Sequence, residues 1–123
     1  MRFSPGLYPV ITQEFCGRNH SLEVLEAVIA GGASIVQLRE KHLCSKELFN
    51  LAIEYRKITA ASNVLLIVND RLDVALAVGA DGVHLGQDDL PCSEARKIAP
   101  NLIIGISTHC KQEVREAEKN GAT

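Results

Sequence analysis

Short apolar runs alternate with helix-patterned segments along the whole chain, and this alternation constrains the fold more than any other feature of its 123 residues. LYPVIT (7–12) opens the series. In the segment after it, Leu22, Leu25, Val28 and Ile29 fall on one side of a helix until Gly31-Gly32 stops it, and Ser21 is placed to cap its start. SIVQLRE (34–40) reads as a second strand. Beyond Ser45, the stretch KELFNLAIEYRKITAA carries Leu48, Leu51, Ala52, Tyr55 and Ile58 at helical spacing. VLLIVND (64–70) is too continuously apolar to have a wet face, as befits a parallel strand covered on both sides, and RLDVALAV supplies the short helix that follows. GVHLG (82–86) and IIGIST (103–108) repeat the pattern, with helices around 92–98 and 111–119. Five strand–helix units in a row predict an α/β protein with a parallel sheet.

The junctions between units repeat as well. Ala-Gly-Gly-Ala before SIVQL and Val-Gly-Ala-Asp before GVHLG both set a glycine where a helix must end in a left-handed conformation, with a strand starting shortly afterwards. Lys119-Asn120-Gly121-Ala122-Thr123 is the same junction, so a sixth strand is expected immediately after Thr123. A doubly wound sheet can be built from five strands, whereas a (β/α)8 barrel needs three more units and typically runs to about 200 residues or more. The expected architecture is one domain over residues 1–123 forming part of a (β/α)8 TIM barrel, incomplete at about five βα units.

A hydrophobic content of 46% is enough for one core. Net charge is −2 with acids and bases interspersed, which excludes a nucleic-acid stripe and a polybasic membrane anchor and leaves small molecules or protein as partners. The segment MRFSPGLYPVITQEF lacks the long apolar core of a secretory signal, and no apolar run approaches the roughly 20 residues that cross a bilayer, so a cytoplasmic location is expected. Cys16, Cys44, Cys92 and Cys110 form no C-x-x-C pair and read as reduced thiols.

Strand alternation puts Ile35, Gln37 and Arg39 on one face and Val36 and Leu38 on the other. In a barrel the apolar pair faces the helices, and Gln37 and Arg39 point into an interior where unpartnered polar groups are costly. A bound polar ligand removes that cost; an internal hydrogen-bonded pair with strand-end acids is the alternative. Asn69 and Asp70 likewise have a second reading as caps of the helix starting near Arg71, and Asp88 and Asp89 as solvated loop acids. Coincidence weighs against these bland readings: Gln37, Arg39, Lys41, Asn69, Asp70, His84, Asp89 and Ser107 all fall at or just beyond the C-terminal ends of successive strands, where α/β folds place their active sites. Carboxylates from two loops suit Mg²⁺, which is usually held by one or two carboxylates plus phosphate oxygens, and Arg39 and Lys41 suit the remaining phosphate charge. Together they describe a site for a diphosphate–metal complex. A zinc hydrolase using His84 and His109 is the rival, but no close histidine pairing supports it; His84 reads better as a hydrogen-bonded strand residue, and His20 and His42 stand alone in loops. Ser107 has no nucleophile-elbow context and fits a ligand hydrogen bond better than an activated nucleophile.

VQLREK (36–41), VNDRLDVALAVGADGVHLGQDDLP (68–91) and IGISTH (104–109) resemble, in order and spacing, the signature segments of the thiamine phosphate synthase family. That resemblance implies a transferase that joins 4-amino-5-hydroxymethyl-2-methylpyrimidine diphosphate to 4-methyl-5-(2-phosphoethyl)thiazole and releases pyrophosphate by a dissociative route needing no side-chain nucleophile. It implies that Gln37, Leu38, Arg39, Glu40, Lys41 and Asn69 bind the pyrimidine diphosphate, that Arg39 and Lys41 stabilise the departing charge, and that Ser107 contacts the pyrimidine substrate. It also makes Asp70 and Asp89 the Mg²⁺ ligands, with Asp88 beside them. The family's thiazole-phosphate residues lie on later strands, so these segments correspond to the metal and pyrimidine half of such a site. A homo-oligomer is a further implied partner, since relatives often associate. A thiazole tautomerase-like isomerase and a non-catalytic half-barrel module are the alternative readings.

Overall fold

The computed structural model describes residues 6–123. Five strands and five helices alternate in it: β1 (Val10–Ile11), α1 (Ser21–Ala30), β2 (Ile35–Leu38), α2 (Ser45–Ala61), β3 (Leu65–Asn69), α3 (Leu72–Val78), β4 (Gly82–Leu85), α4 (Cys92–Ile98), β5 (Ile103–Ile106) and α5 (Lys111–Lys119), with a 3₁₀ turn over Gln13–Phe15 after β1. The strands form one parallel sheet in sequence order. No described helix is long and apolar enough to cross a membrane, and all four cysteines are free thiols.

Register sorts the strand residues into layers. Ile11, Leu38, Val68, Val83 and Ile104 stand side by side across the sheet, and all five are buried in the core under the helices with Leu25, Leu48, Tyr55 and Ala75. Fully burying one such Leu or Val contributes about 1.5–3 kcal/mol, so this layer is the main stabilising contact between sheet and helices. Offset by one residue, Ile35, Ile67, His84 and Ile103 face the opposite side, where they line an apolar cavity of about 490 Å³ together with Tyr8 and Gly105. The alternation read from β2 therefore holds, with Val36 and Leu38 on the helix side and Ile35 opposite.

The glycine junctions hold too. Gly32, Gly79 and Gly121 all have positive φ. After Gly121 the chain turns back beside β5: Thr123 N–H donates to the Ile104 carbonyl at 2.8 Å, and Ile104 N–H donates to Thr123 Oγ1 at 3.1 Å. Arg96 of α4 fixes this return by donating to the carbonyls of Leu102 at 2.6 Å, Pro100 at 2.9 Å and Gly121 at 2.8 Å. At the N-terminal ends of the strands, Asp81 plays a similar part, accepting from Leu66 N–H and from Arg56 Nη1, both at 2.8 Å.

Two expected caps are corrected. Ser21 does not cap α1: it is the first helical residue, buried, with an Oγ that finds no partner, and the cap is His20, whose Nδ1 accepts from Leu22 N–H at 3.1 Å. The His20 carbonyl takes the first helical bond, from Val24 N–H at 3.3 Å, which leaves Ser21 inside the helix with its N–H donated to Gln13 Oε1 at 2.8 Å. Neither Asn69 nor Asp70 caps α3, whose N-cap is Arg71 without a side-chain bond. LYPVIT also contributes only Val10 and Ile11 to the sheet, because only these two pair with β2.

Candidate active site

Most of the polar residues singled out at strand ends follow β2, β3, β4 or β5 on the C-terminal rim of the sheet. Leu38 pairs with Val68 and Asn69 with His84, which pairs in turn with Gly105. Arg39 thus leaves β2 level with Asn69, one layer beyond Gln37 and Ile67.

Gln37 is only 4% exposed, yet its amide is satisfied: Nε2 lies 3.1 Å from the hydroxyl of Tyr8, itself pushed up in pKa by burial. This is an internal pair, but with a tyrosine and not with the strand-end acids that the sequence offered. Arg39 makes no side-chain hydrogen bond or ion pair among the described residues and lines, with Thr12, Phe15, Lys41, His42 and the acids Glu14 and Glu40, an open depression of about 280 Å³. A guanidinium left without a protein partner at such a rim is free for an anion.

Lys41 Nζ bonds to Asp70 Oδ2 and joins the ends of β2 and β3. Asp70 reaches that position from a backbone φ of +64°, with Arg71 N–H donating across it to the Asn69 carbonyl at 2.8 Å and Asp70 N–H donating to His84 O at 2.8 Å. Asp89 turns back on its own loop, its Oδ2 accepting from Gly86 N–H at 2.6 Å. Each carboxylate thereby keeps Oδ1 without a hydrogen bond among the described residues. Oxygen-only donors of this kind, one on each of two successive loops, are the type a hard divalent cation takes when water and phosphate oxygens complete its shell. No group of three or more His, Cys, Asp or Glu suited to a metal occurs among the described residues, and His109 is taken up by Glu113 at 3.2 Å, so the zinc reading has no ligand set.

His84 stands beside Asp70, whose N–H it accepts at its carbonyl, and its ring meets Ser107. Burial lowers its pKa, and the charges of Asp70 and Asp89 pull the other way, so both carboxylates act on this one ring. Its Nε2 lies 2.8 Å from Ser107 Oγ. Its Nδ1 packs over Gly105, where a Cβ would come within 2.6 Å. Among the described residues His84 Nδ1 has no hydrogen-bond partner, so the pair shows no third group of the kind that orients the base in a hydrolytic triad.

Two residues of the VQLREK segment turn elsewhere. Leu38 is fully buried on the helix side, so its side chain serves the core. Glu40 directs Oε1 to Gln13 N–H at 2.7 Å. Asp88 is exposed in the loop before Asp89. Sequence reasoning missed Tyr8, Gln13 and Gly105 as supports of this rim; only Gly105 carried a signal, as a glycine inside an apolar strand that marks close approach of another group.

The family described as thiamine monophosphate synthase matches residues 7–123. The chain is 50% identical over 106 residues to the thiamine-phosphate synthase of Chloroflexus aurantiacus, an alignment covering 86% of this chain and 49% of that protein. It is 48% identical over 117 residues to the thiamine-phosphate synthase of Moorella thermoacetica, covering 94% of this chain and 56% of that one. Among solved structures, the thiamine phosphate pyrophosphorylase from Pyrococcus furiosus superposes with a TM-score of 0.87 at 40% identity, over 94% of this chain and 55% of its own. The chain spans about half the length of the curated relatives it matches. These relatives carry the synthase name and lend no support to the tautomerase alternative.

Proposed function

The chain belongs to the thiamine monophosphate synthase family, and from that premise we propose that it carries the metal and pyrimidine half of a thiamine phosphate synthase site, on part of a (β/α)8 barrel. The observation that carries this reading is the meeting of side chains at the strand ends: Lys41 contacts Asp70, Asp70 N–H donates to the His84 carbonyl, and the His84 ring holds Ser107. The substrates are 4-amino-5-hydroxymethyl-2-methylpyrimidine diphosphate and the thiazole phosphate, with no nucleic acid or membrane involved.

In the proposed reaction the bond between the pyrimidine methylene and the diphosphate oxygen breaks, and its electron pair leaves with the diphosphate. The thiazole nitrogen then donates its lone pair to the methylene carbon. Charge on the departing group grows along this path, so groups that bind it more tightly as it grows lower the barrier. Arg39 offers an unpaired guanidinium and Lys41 an ammonium that can shift from Asp70 to a phosphate oxygen. Gln37, Asn69 and the Ser107 hydroxyl orient the pyrimidine diphosphate. Asp70 and Asp89 would hold Mg²⁺, which when bound supplies neutralising charge for the diphosphate.

Isothermal titration of the chain with the pyrimidine diphosphate, with and without Mg²⁺, tests the reading. Metal-dependent binding that disappears in Asp70→Ala while the fold persists is the expected result. A folded sample that ignores the ligand, or binding that survives Asp70→Ala with its Mg²⁺ dependence intact, would refute it.

A further inference from the structure

Glu40 stands between Arg39 and Lys41, the two basic residues of the VQLREK segment, and a carboxylate aimed straight at a diphosphate would oppose its binding. Its side chain is otherwise engaged. Oε1 accepts the main-chain N–H of Gln13 at 2.7 Å, across 27 residues of sequence. Gln13 is the first residue of the 3₁₀ turn that follows β1, and the residue before it, Thr12, makes no side-chain cap. The first N–H groups of such a turn have no partner within it, so Glu40 caps this turn from a different element.

The bond continues into a chain of contacts. The Gln13 side chain closes the rest of the loop, donating from Nε2 to the Asn19 carbonyl at 3.0 Å and accepting Ser21 N–H at 2.8 Å. The Ser21 carbonyl in turn accepts the hydroxyl of Tyr55, a buried residue of α2, at 3.4 Å. Burial raises the pKa of both Cys16 and Tyr55, and the negative charge of Glu40 adds to the rise. The turn and the loop after β2 together wall the depression that contains Arg39 and Lys41.

We propose that Glu40 is a positioning residue, whose carboxylate oxygen acts as a hydrogen-bond acceptor for Gln13 N–H and so locks the loop after β1 against the loop after β2, setting Arg39 and Lys41 for the diphosphate. The acceptor is what matters here and the charge is dispensable. The inference rests on the functional reading above for the identity of the ligand, but the loop contact is testable without it.

Two variants separate acceptor from charge: Glu40→Gln keeps a side-chain oxygen and loses the charge, whereas Glu40→Leu keeps similar bulk and loses both. Amide exchange at Gln13 and through residues 13–20, measured without ligand, should stay near wild type in Glu40→Gln and rise about 3- to 10-fold in Glu40→Leu, the loss expected for one hydrogen bond. The dissociation constant for the pyrimidine diphosphate in Mg²⁺ should follow the same order, within about threefold of wild type for Glu40→Gln and weaker by up to about tenfold for Glu40→Leu. Exchange that rises equally in both variants, or in neither, overturns the proposal, as does a Glu40→Gln protein whose binding is as poor as that of Glu40→Leu. If wild type itself fails to bind the pyrimidine diphosphate, the functional reading falls, and the ligand-free exchange comparison still decides the role of Glu40.

Discussion

Asp70 occupies a left-handed backbone conformation, φ +64°, at the tip of a tight turn closed by the Arg71 N–H to Asn69 carbonyl bond. For a residue with a Cβ this costs of the order of 1–3 kcal/mol, less for Asp and Asn than for others, and such strain persists where the surroundings impose it. Here it aims the carboxylate at Lys41. Asparagine tolerates the same backbone, and an exposed ion pair contributes only about 0–1 kcal/mol. Asp70→Asn should therefore change folding stability by less than about 1 kcal/mol in a denaturant titration while abolishing Mg²⁺-dependent binding in the calorimeter; binding that survives with normal metal dependence would remove Asp70 from the metal site. Gly105 controls the neighbouring residue. A Cβ there meets His84 Nδ1 at 2.6 Å, so Gly105→Ala forces a shift at the ring that holds Ser107. The expected cost is about 1–3 kcal/mol in stability, read by thermal melting, with binding of the pyrimidine diphosphate weakened about 3- to 10-fold. An alanine variant with wild-type stability and affinity would show that the His84–Ser107 contact is unimportant. His84 also gives stability a pH dependence of known sign. Burial holds its pKa below the ordinary 6.5, so near that pH the unfolded chain binds more protons than the native one. This contribution is complete above 6.5 and is lost as pH falls from there through the lower folded value. Replacing His84 by Gln should flatten the dependence of unfolding free energy on pH in that window; an unchanged slope would assign it to other groups.

At the scale of elements, the strands are held in register at their lower ends by Asp81, whose Oδ2 serves both Leu66 N–H and Arg56. Asp81→Ala leaves a main-chain donor of β3 without its acceptor, and urea unfolding should report a loss of about 1–3 kcal/mol. Binding at the opposite end of the strands should be unaltered in the protein that remains folded, and a loss of affinity there would mean that the two ends are coupled. What could be read from sequence divides along a physical line. Helix and strand periodicities and glycine stops are local, and α4 and α5 appear at the expected 92–98 and 111–119, with positive φ at Gly32, Gly79 and Gly121. The convergence of Lys41, Asp70, His84 and Ser107 was also legible, because parallel strand order alone brings successive C-terminal ends to one rim. Partners chosen by loops from distant parts of the chain were not. Tyr8 meets Gln37 across 29 residues and Gln13 meets Glu40 across 27. Ser21 shows the same limit on a small scale: its cap propensity is real, but its N–H goes to Gln13, a distant loop residue, and its neighbour His20 caps the helix.

For the molecule as a whole, the unresolved tension lies between the two faces of the sheet. Parallel sheets are stable when both faces are covered, and the helices cover only one. The other face carries Ile35, Ile67 and Ile103 around the cavity of about 490 Å³. Among the described residues β1 is an edge strand, and Val10 on it is 51% exposed, with Leu7 just before it at 84%. An apolar face flanked by an unpaired strand edge favours association, since another chain can satisfy the main-chain groups and exclude water together. The chain should therefore self-associate, and light scattering behind size exclusion should give a mass above that of one chain that grows with concentration. A charge on the edge should weaken the association. Val10→Lys puts an ammonium on β1, so its mass should fall toward that of a single chain. If the wild-type chain is monomeric at every concentration, the apolar face is tolerated in water. If Val10→Lys associates as strongly as wild type, the contact is made elsewhere on the molecule.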